Sequence, residues 1–281
     1  MPASLTQPQP LADAIAQISA RTPIGALLRS AEWAEVPLAI RNAALFSAGV
    51  ENARVLQRMK DFLSTWAGEL RRPDGTLQRR DQFIAELRDL AIREGLTPED
   101  PSKRGTIQDI TSFPRLKLIW DIQTQQAQGY AQWKAEQDPD ILDAFPAQEL
   151  IRVENRRVPR DWFRRWIDAG GQIYDGRLVA LKNAPIWRRI SRFGNPWPPY
   201  DYNSGMGLED VSRDEAEELG LLGPDDELKP MQEDFDEHLQ ASTRGLDPEM
   251  LATLEDYFGE RIVIDGDTVR WNKSANRRNL L

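Results

Sequence analysis

Cysteine is absent from this chain of 281 residues, and histidine occurs once. Without cysteine, the chain can form no disulfide, use no catalytic thiol and hold no cysteine-ligated zinc. The single imidazole, His238, excludes a site with several histidine ligands and argues against a histidine-dependent triad. His238 lies in the acidic run QEDFDEHLQ, so we interpret it as a solvated side chain on a helix.

Long apolar runs and the common catalytic motifs are also missing. No apolar run approaches the roughly twenty residues of a membrane span, so we expect no membrane partner. The start, MPASLTQPQPLADAIAQ, has neither a basic region nor an apolar core, and we expect no export. Phosphate-binding, dinucleotide-binding, zinc-protease and nucleophile-elbow motifs do not occur, so we expect no enzymatic activity, no catalytic residue and no cofactor.

One group of carboxylates is a candidate metal site. Its members are close in sequence and follow a glycine-rich turn: Asp201, Glu209, Asp210 and Asp214. Their spacing is not that of a calcium-binding loop, and acidic residues before a helix ordinarily serve its dipole. We therefore predict no metal site.

Charge is distributed unevenly along the chain. From Arg152 to Arg192 there are eleven Lys and Arg against four Asp and Glu, whereas Asp201–Glu260 holds nineteen acidic residues and three basic ones. The last twelve residues are basic again. This pattern favours electrostatic partners, and the alternative is that the acidic and basic segments neutralise each other within the fold.

The first half of the chain is predicted to be helical. Residues 1–20 read as a flexible Pro/Gln-rich arm with a short helix, and 21–137 as a mainly helical region. Helices are expected over Glu51–Leu70 and over Arg79–Glu94, the second ending at Gly95 as its C-terminal cap. After a loop or short strand over Lys103–Ile110, a longer helix is expected from near Ser112, which can cap it, to about Lys134. The last has a glutamine-rich face, interpreted as solvated, with a subunit contact as the alternative: Gln125, Gln126, Gln128 and Gln132.

The second half changes to strands, loops and short helices. Asp-Gly turns predict hairpins at Ile173–Val179 and Ile262–Val269, and capped helices begin after Ser212 and Asp247. We divide it into a basic, aromatic mixed region, 138–222, and an acidic C-terminal module of helix and hairpin, 223–281. The fold class is α+β: a helical N-terminal part followed by a smaller mixed part with β-hairpins and a long proline/aromatic-rich loop.

That loop, Phe193–Met206, consists almost entirely of Gly, Pro, Asn, Asp and aromatic residues. It cannot be helical, because proline removes donors and glycine and asparagine favour turns. Packing of its rings must hold it instead. We expect Trp197, Tyr200 and Tyr202 to be largely buried against the hairpin and the flanking helix.

Before the loop lies a candidate nucleic-acid-binding surface. It comprises Arg156, Arg157, Arg160, Arg164 and Arg165. A helix beginning near Pro159 would turn Trp162 and Trp166 inward and leave the arginines outside to contact phosphate. The alternative is that these arginines form an ion-pair layer with Asp201–Glu260 or face a protein partner.

Two runs in this region, VPRDWFRRWIDAGG and NPWPPYDYNSGMG, resemble the phage Mu F-like minor head proteins, a head-morphogenesis family. The resemblance extends from about Leu45 to about Leu222. It implies a structural protein of a tailed phage or prophage, with the portal protein, other head proteins and packaged DNA as expected partners. It also implies a place in the virion, in the head interior or at the portal vertex, and in the host cytoplasm during assembly.

The chain departs from that family at one point. Many members carry a histidine and closely spaced cysteines around the proline-rich loop, where this chain has Asn203-Ser204-Gly205, so no metal site follows from the resemblance. The alternative function is an enzyme or toxin-like effector with an unrecognised carboxylate site. About sixty residues follow the matched region, which is small for an independent enzyme.

Overall fold

The computed structural model of this chain describes residues 52–69, 75–231, 248–266 and 268–272, with shorter pieces at 19, 21–23, 33, 36, 41, 44–45, 50 and 240–242. The chain divides into two compact units. The described residues of one lie within Thr124–Glu233, and those of the other within Leu11–Gln123 and Asp234–Leu281. These boundaries differ from those predicted, which divided the chain into 21–137, 138–222 and 223–281. The predicted arm, most of the short helix within it and His238 lie outside the described residues.

Two helices form the centre of the unit that contains Leu11–Gln123. Helix α1 spans Ala53–Glu69 and α2 spans Gly75–Arg93, which confirms both predictions but starts α2 before Arg79. Each turns a buried apolar face to the other, and the rings of Phe62 and Phe83 meet edge to face at 5.9 Å. Past α2, Gly95 has a φ of +74°, and the next amide, of Leu96, donates to the Ala91 carbonyl at 2.9 Å. This is the predicted glycine cap.

The same unit holds two small sheets. Strands β1 (Thr22–Pro23) and β2 (Ala44–Leu45) pair in parallel. With strands numbered in chain order, the second sheet contains β6 (Gln240–Ser242), β7 (Ile262–Asp265) and β8 (Thr268–Trp271). It is antiparallel, and β8 is the central strand. The β7–β8 pair confirms the predicted second hairpin, and Gly266 in its turn has a φ of +55°.

A further helix, Pro248–Phe258, precedes β7 and begins at the proline that the sequence places at its first position. The predicted cap, Asp247, lies outside the described residues. Phe258 is buried and stacks on Trp33 with ring centroids 6.1 Å apart.

The longest helix, α3, spans Phe113–Ala135, and the division between the units falls within it. Its first turn is capped as expected, because the Ser112 hydroxyl accepts from the Arg115 amide at 3.3 Å. The preceding segment, predicted as a loop or short strand, is a series of turns. The buried Asp109 carboxylate holds them by accepting from the Gly105 amide at 2.8 Å and from the Thr111 amide and hydroxyl at 2.8 and 2.6 Å.

The unit within Thr124–Glu233 is built on one antiparallel sheet in the order β4-β3-β5: Val179–Leu181, Ala147–Arg152 and Met206–Val211. A short helix, α4, spans Pro139–Ala144 before β3, where the sequence predicted strands and loops. The Asp138 side chain caps α4 by accepting from the Asp140 amide at 2.9 Å. An acidic cap followed by proline is a strong helix start, which explains why α4 forms.

Three more short helices cover the two faces of this sheet. On one face, α5 (Trp162–Asp168) and α6 (Ile186–Ile190) enclose a tryptophan-rich core with Leu150 and Ala180. On the other face, α7 (Arg213–Glu218) packs through Ala216 on three small or β-branched side chains, namely Ala147, Val179 and Val211. Neighbouring residues of a strand point to opposite faces, which is why Val179 and Ala180 belong to different cores.

The first predicted hairpin, Ile173–Val179, is confirmed only at its tip, as a two-residue turn closed by one residue pair. Asp175 and Gly176 have φ values of +49° and +81°, as a type I′ turn requires. Tyr174 and Arg177 then form a single isolated bridge, and Val179 pairs with Glu149 of β3 instead. The strand therefore joins the sheet, where both its faces are covered, rather than folding back on its own turn.

These elements confirm the α+β fold class, with a helical N-terminal part and small antiparallel sheets. The predicted helix after Ser212 is also confirmed, because the Ser212 hydroxyl accepts from the Glu215 amide at 3.4 Å and Gly220 follows with a φ of +70°. Among the described residues, no helix combines the length and apolar character needed to cross a membrane.

Candidate functional site

The basic segment forms helix α5, but the helix begins later than predicted. The Asp161 carboxylate caps it by accepting from the Arg164 amide at 2.9 Å, which fixes Trp162 as the first helical residue. Arg156, Arg157 and Arg160 therefore lie in the preceding loop and not on the helix, contrary to the expected start near Pro159. The inward orientation of Trp162 and Trp166 is confirmed, since both are buried in the tryptophan-rich core.

Most of the five candidate arginines have a carboxylate partner. Arg165 contacts Asp201 with an N–O distance of 2.7 Å, and Arg160 reaches the same carboxylate at 3.4 Å. Arg164 pairs with Asp168 one turn along α5 at 2.9 Å, and Arg156 pairs with Glu154. Arg160 and Arg165 are therefore neutralised within the fold by Asp201, the first residue of the acidic segment, as the alternative interpretation expected.

Asp201 is the carboxylate that ties the loop to α5. Its side chain is buried, and its other oxygen accepts from the Tyr202 amide at 2.7 Å. Arg165 also lies over the Trp162 ring, with its guanidinium carbon 4.8 Å from the ring centroid. Charge pairing and ring stacking together hold Arg165 against the protein, whereas the candidates Arg157, Arg160 and Arg164 are exposed.

The proline/aromatic-rich loop is anchored by fully buried rings, as predicted for Trp197 and Tyr200. Tyr200 stacks on Trp187 of α6 at 6.0 Å. Trp197 packs on Tyr130 and Trp133 of α3, at 5.2 and 5.1 Å, and not on the expected hairpin. Burial raises the pKa of Tyr200 well above its ordinary value, and the charge of Glu136 adds to this effect.

Tyr202 departs from the prediction because it is only half-buried. Its ring meets Phe193 edge to face at 5.0 Å, and Arg192 lies over it at 5.7 Å. Tyr202 thus joins the two ends of the loop at the surface rather than anchoring the loop in the core.

Gln126 of α3 is a buried residue that the sequence interpretation placed on a solvated face. Its side-chain oxygen accepts from Asn195 Nδ2 at 2.7 Å and from Trp197 Nε1 at 3.1 Å, while its nitrogen donates to the Pro199 carbonyl at 3.1 Å. The other three glutamines of that face are exposed, as expected: Gln125, Gln128 and Gln132. An amide both donates and accepts, so a single side chain satisfies several buried loop groups.

The loop backbone comes so close to α3 at Gly129 that a side chain there would not fit. A methyl group at Gly129 would overlap the Pro198 carbonyl oxygen and lie 3.2 Å from the Trp197 ring. The Pro198–Pro199 peptide bond is cis. Glycine at position 129 is therefore what permits the helix and the loop backbone to touch.

The sequence interpretation missed an ionic cluster at the end of β4, in which Lys182 and Glu136 are buried while Asp210 of β5 stays partly exposed. The Lys182 side chain is 1% exposed, and its Nζ lies 2.7 Å from Asp210 and 3.4 Å from Glu136. Burial raises the pKa of Glu136, an effect that Lys182 opposes and Asp210 reinforces. The available signal was a lone lysine in the apolar run LVALKNAPIW, since an unpaired charge is not stable in a core.

The acidic group compared with a metal site is dispersed. Asp201 pairs with Arg165, whereas Asp210 pairs with Lys182. In the part of the chain that the structure describes, no three His, Cys, Asp or Glu residues are grouped so that they could hold a metal ion.

These contacts hold the loop, α3 and α5 together in one core. The loop and α3 fix the core, and the core fixes α5 with its outward-facing side chains. In comparisons with known proteins, no protein-family model matches this chain, and no curated protein or solved structure matches it either.

Proposed function

We propose that this chain is a structural minor head protein of a tailed phage or prophage, associated with the portal inside the capsid and without catalytic activity. The proposal begins from the resemblance of VPRDWFRRWIDAGG and NPWPPYDYNSGMG to the Mu F-like proteins. The observation that supports it best is that these two runs pack on each other: Arg165 binds Asp201, and Trp166 and Tyr200 share one core. Runs that fold as one body are consistent with a resemblance that covers a whole domain.

The alternative, an enzyme with an unrecognised carboxylate site, has one structural candidate in the Lys182 cluster. A lysine nucleophile must reach a substrate, whereas the Lys182 side chain is 1% exposed and pairs with buried Glu136 and with the partly exposed Asp210. A paired, enclosed lysine balances charge in a core. This geometry favours the structural role over the enzymatic one.

Contact with packaged DNA stays a prediction from the sequence. Phosphate binding needs arginines within reach of the nucleic-acid backbone, and Arg157, Arg160 and Arg164 are the exposed ones. Two of these, Arg160 and Arg164, already have a carboxylate partner, which reduces what they can offer to phosphate.

Quantitative proteomics of purified virions or prophage particles tests the proposal. We expect this protein in particles that contain portal, at a copy number well below that of the major capsid protein. A Trp197→Ala variant, which loses the ring between the loop and α3, should be depleted from particles, and Tyr202→Phe should be retained. Absence of the wild-type protein from portal-containing particles would contradict the proposal.

A further inference from the structure

Two surfaces of opposite charge flank the β4-β3-β5 sheet. Helix α5 covers one face of the sheet through Trp162 and Trp166, and α7 covers the other face through Ala216. The segments that carry these helices are therefore displayed on opposite sides of one unit.

The basic surface consists of residues 152–167, which hold six arginines and two carboxylates. Two carboxylates from outside this range also pair with it, Asp168 with Arg164 and Asp201 with Arg160 and Arg165, so the surface keeps an excess of positive charge of about two. It also displays apolar side chains: Val158 is 80% exposed, Phe163 49% and Ile167 52%. Phe163 and Ile167 are one helical turn apart, so they lie side by side on the outside of α5. Five of the nine large hydrophobic residues found exposed in the described structure fall within 153–173, which marks this segment as a contact region.

The acidic surface consists of residues 214–227, which hold seven carboxylates and neither lysine nor arginine. Five of these seven acidic residues are exposed: Asp214, Glu218, Asp225, Asp226 and Glu227. Apolar area lies among these charges too, because three leucines pack on the sheet and remain half-exposed: Leu219, Leu221 and Leu222. The segment is fixed beyond α7 by the Gly223 amide, which donates to Asp226 at 2.6 Å.

We propose that the basic surface of one copy binds the acidic surface of a second copy, head to tail. Each surface combines apolar side chains with an excess of charge of one sign. Because the two signs are opposite, the surfaces are complementary in charge and both can bury apolar area. The two surfaces differ and lie on opposite sides of the sheet. Each contact therefore leaves one surface of each kind free, and association continues into a ring or an open chain.

The apolar side chains favour protein over DNA as the occupant. Phosphate contact requires arginine or lysine only, and exposed Phe163 and Ile167 gain nothing from a phosphate backbone. A partner with acidic and leucine side chains covers both kinds of group, and the acidic surface of this same chain has that composition. The inference does not depend on the proposed function in a phage head.

Sedimentation velocity of the full chain at increasing concentration tests this inference. The wild type should rise above the mass of one copy, and association should weaken with salt because the charges are exposed. Two variants each remove one surface: Phe163→Ser with Ile167→Ser, and Asp225→Lys with Glu227→Lys. Each alone should stay at the mass of one copy, since each lacks one half of the contact.

An equimolar mixture of the two variants is the decisive sample. The intact acidic surface of the first and the intact basic surface of the second should form a complex of two copies that grows no further. The altered surfaces do not substitute for each other, because arginine on one meets lysine on the other. The control is Phe113→Ser, which removes a ring exposed to 52% elsewhere and should associate like the wild type.

Circular dichroism melting of every variant separates lost contact from lost folding. The inference is overturned if the wild type remains a single copy at all concentrations, if folded surface variants associate like the wild type, or if their mixture stays at one copy. It is equally overturned if the wild type stays single and instead binds duplex DNA or an unrelated acidic protein.

Discussion

Gly129 is the residue at which the smallest chemical change should have the largest effect. In most exposed helical positions, replacing glycine with alanine stabilises a helix by about 1 kcal/mol. Here the added methyl group would overlap the Pro198 carbonyl oxygen, which belongs to backbone held by the buried loop. The contact cannot relax as the end of a flexible side chain would.

We therefore predict that Gly129→Ala lowers the free energy of unfolding by about 1–3 kcal/mol, the usual cost of overpacking. Urea unfolding followed by tryptophan fluorescence measures it. Gln128→Ala is the matched control on the same helix, because Gln128 is exposed, and it should change stability by no more than about 0.5 kcal/mol. A stabilised Gly129→Ala protein would mean that the loop does not approach α3 this closely.

Glu136 gives a second prediction at the residue scale, on pH. Burial raises its pKa in the folded state above the ordinary 4.5. The folded protein then binds a proton more tightly than the unfolded chain, so Glu136 favours folding at low pH. That contribution is lost as pH rises from about 4.5 through the folded-state pKa.

Glu136→Gln removes this titration while Lys182 keeps Asp210 at 2.7 Å. Relative to the wild type, the variant should gain stability as pH rises from 4 to 7, measured by urea unfolding at each pH. Other titrating groups largely cancel in the difference between the two proteins. If the stability of the variant instead falls relative to the wild type as pH rises, attraction to Lys182 dominates and lowers the pKa of Glu136.

At the scale of elements, the loop depends on α3, which is far from it in sequence, through Trp197 and Gln126. Trp197→Ala should cost about 3–5 kcal/mol, because a fully buried indole between Tyr130 and Trp133 would leave a cavity. Tyr202→Ala should cost less, since Tyr202 is only half-buried. Melting temperatures of both variants test this order, and a Trp197→Ala protein that melts like the wild type would contradict it.

Trp197→Phe separates packing from hydrogen bonding at the same place. A phenyl ring retains much of the contact with α3 but cannot donate to Gln126, which accepts from Trp197 Nε1 at 3.1 Å. Its stability should fall between those of the wild type and Trp197→Ala. Equal stability of the two variants would mean that ring size contributes little.

Local patterns in the sequence were sufficient for the elements whose signals are local. The apolar stripes of α1 and α2, the caps at Ser112 and Ser212, and the hairpin Ile262–Val269 were all predicted. The start of α5 could also have been predicted, because Asp161 is a preferred N-cap residue. The expected start near Pro159 followed the spacing of the arginines instead. These features depend on residues within about one turn of each other.

Non-local partners explain what the sequence could not provide. Gln126 looked solvated because its donors, Asn195 and Trp197, lie far along the chain. Val179 looked like half of a hairpin because nothing nearby in sequence reveals that Glu149 is its partner. The pairing of Arg165 with Asp201 was open for the same reason: the charges predict attraction but not which partner is chosen.

For the whole molecule, the placement of charge limits how strongly DNA could bind. Each phosphate neutralised contributes a slope of about −0.9 to the logarithm of affinity against the logarithm of salt concentration. With Arg157, Arg160 and Arg164 as the exposed candidates, the slope for a mixed-sequence duplex should be no steeper than about −3. An Arg157→Ala, Arg160→Ala, Arg164→Ala variant should bind weakly and with almost no salt dependence.

DNA binding should be measured at protein concentrations at which sedimentation shows single copies only, so that self-association is not mistaken for binding. A wild-type protein without salt-dependent binding, or a variant that binds as well as the wild type, would show that the arginines do not form a DNA site. A much steeper slope would place the contact elsewhere, for example in the basic tail after Arg270.

The order in which the ribosome makes α3 and the loop has a consequence for synthesis. Gln126 precedes Asn195 by 69 residues and Trp197 by 71. At about 5–20 residues per second, that face of α3 waits about 3–14 s for its partners. Throughout this interval the nascent chain presents Tyr130 and Trp133 uncovered, which is the kind of surface that chaperones bind.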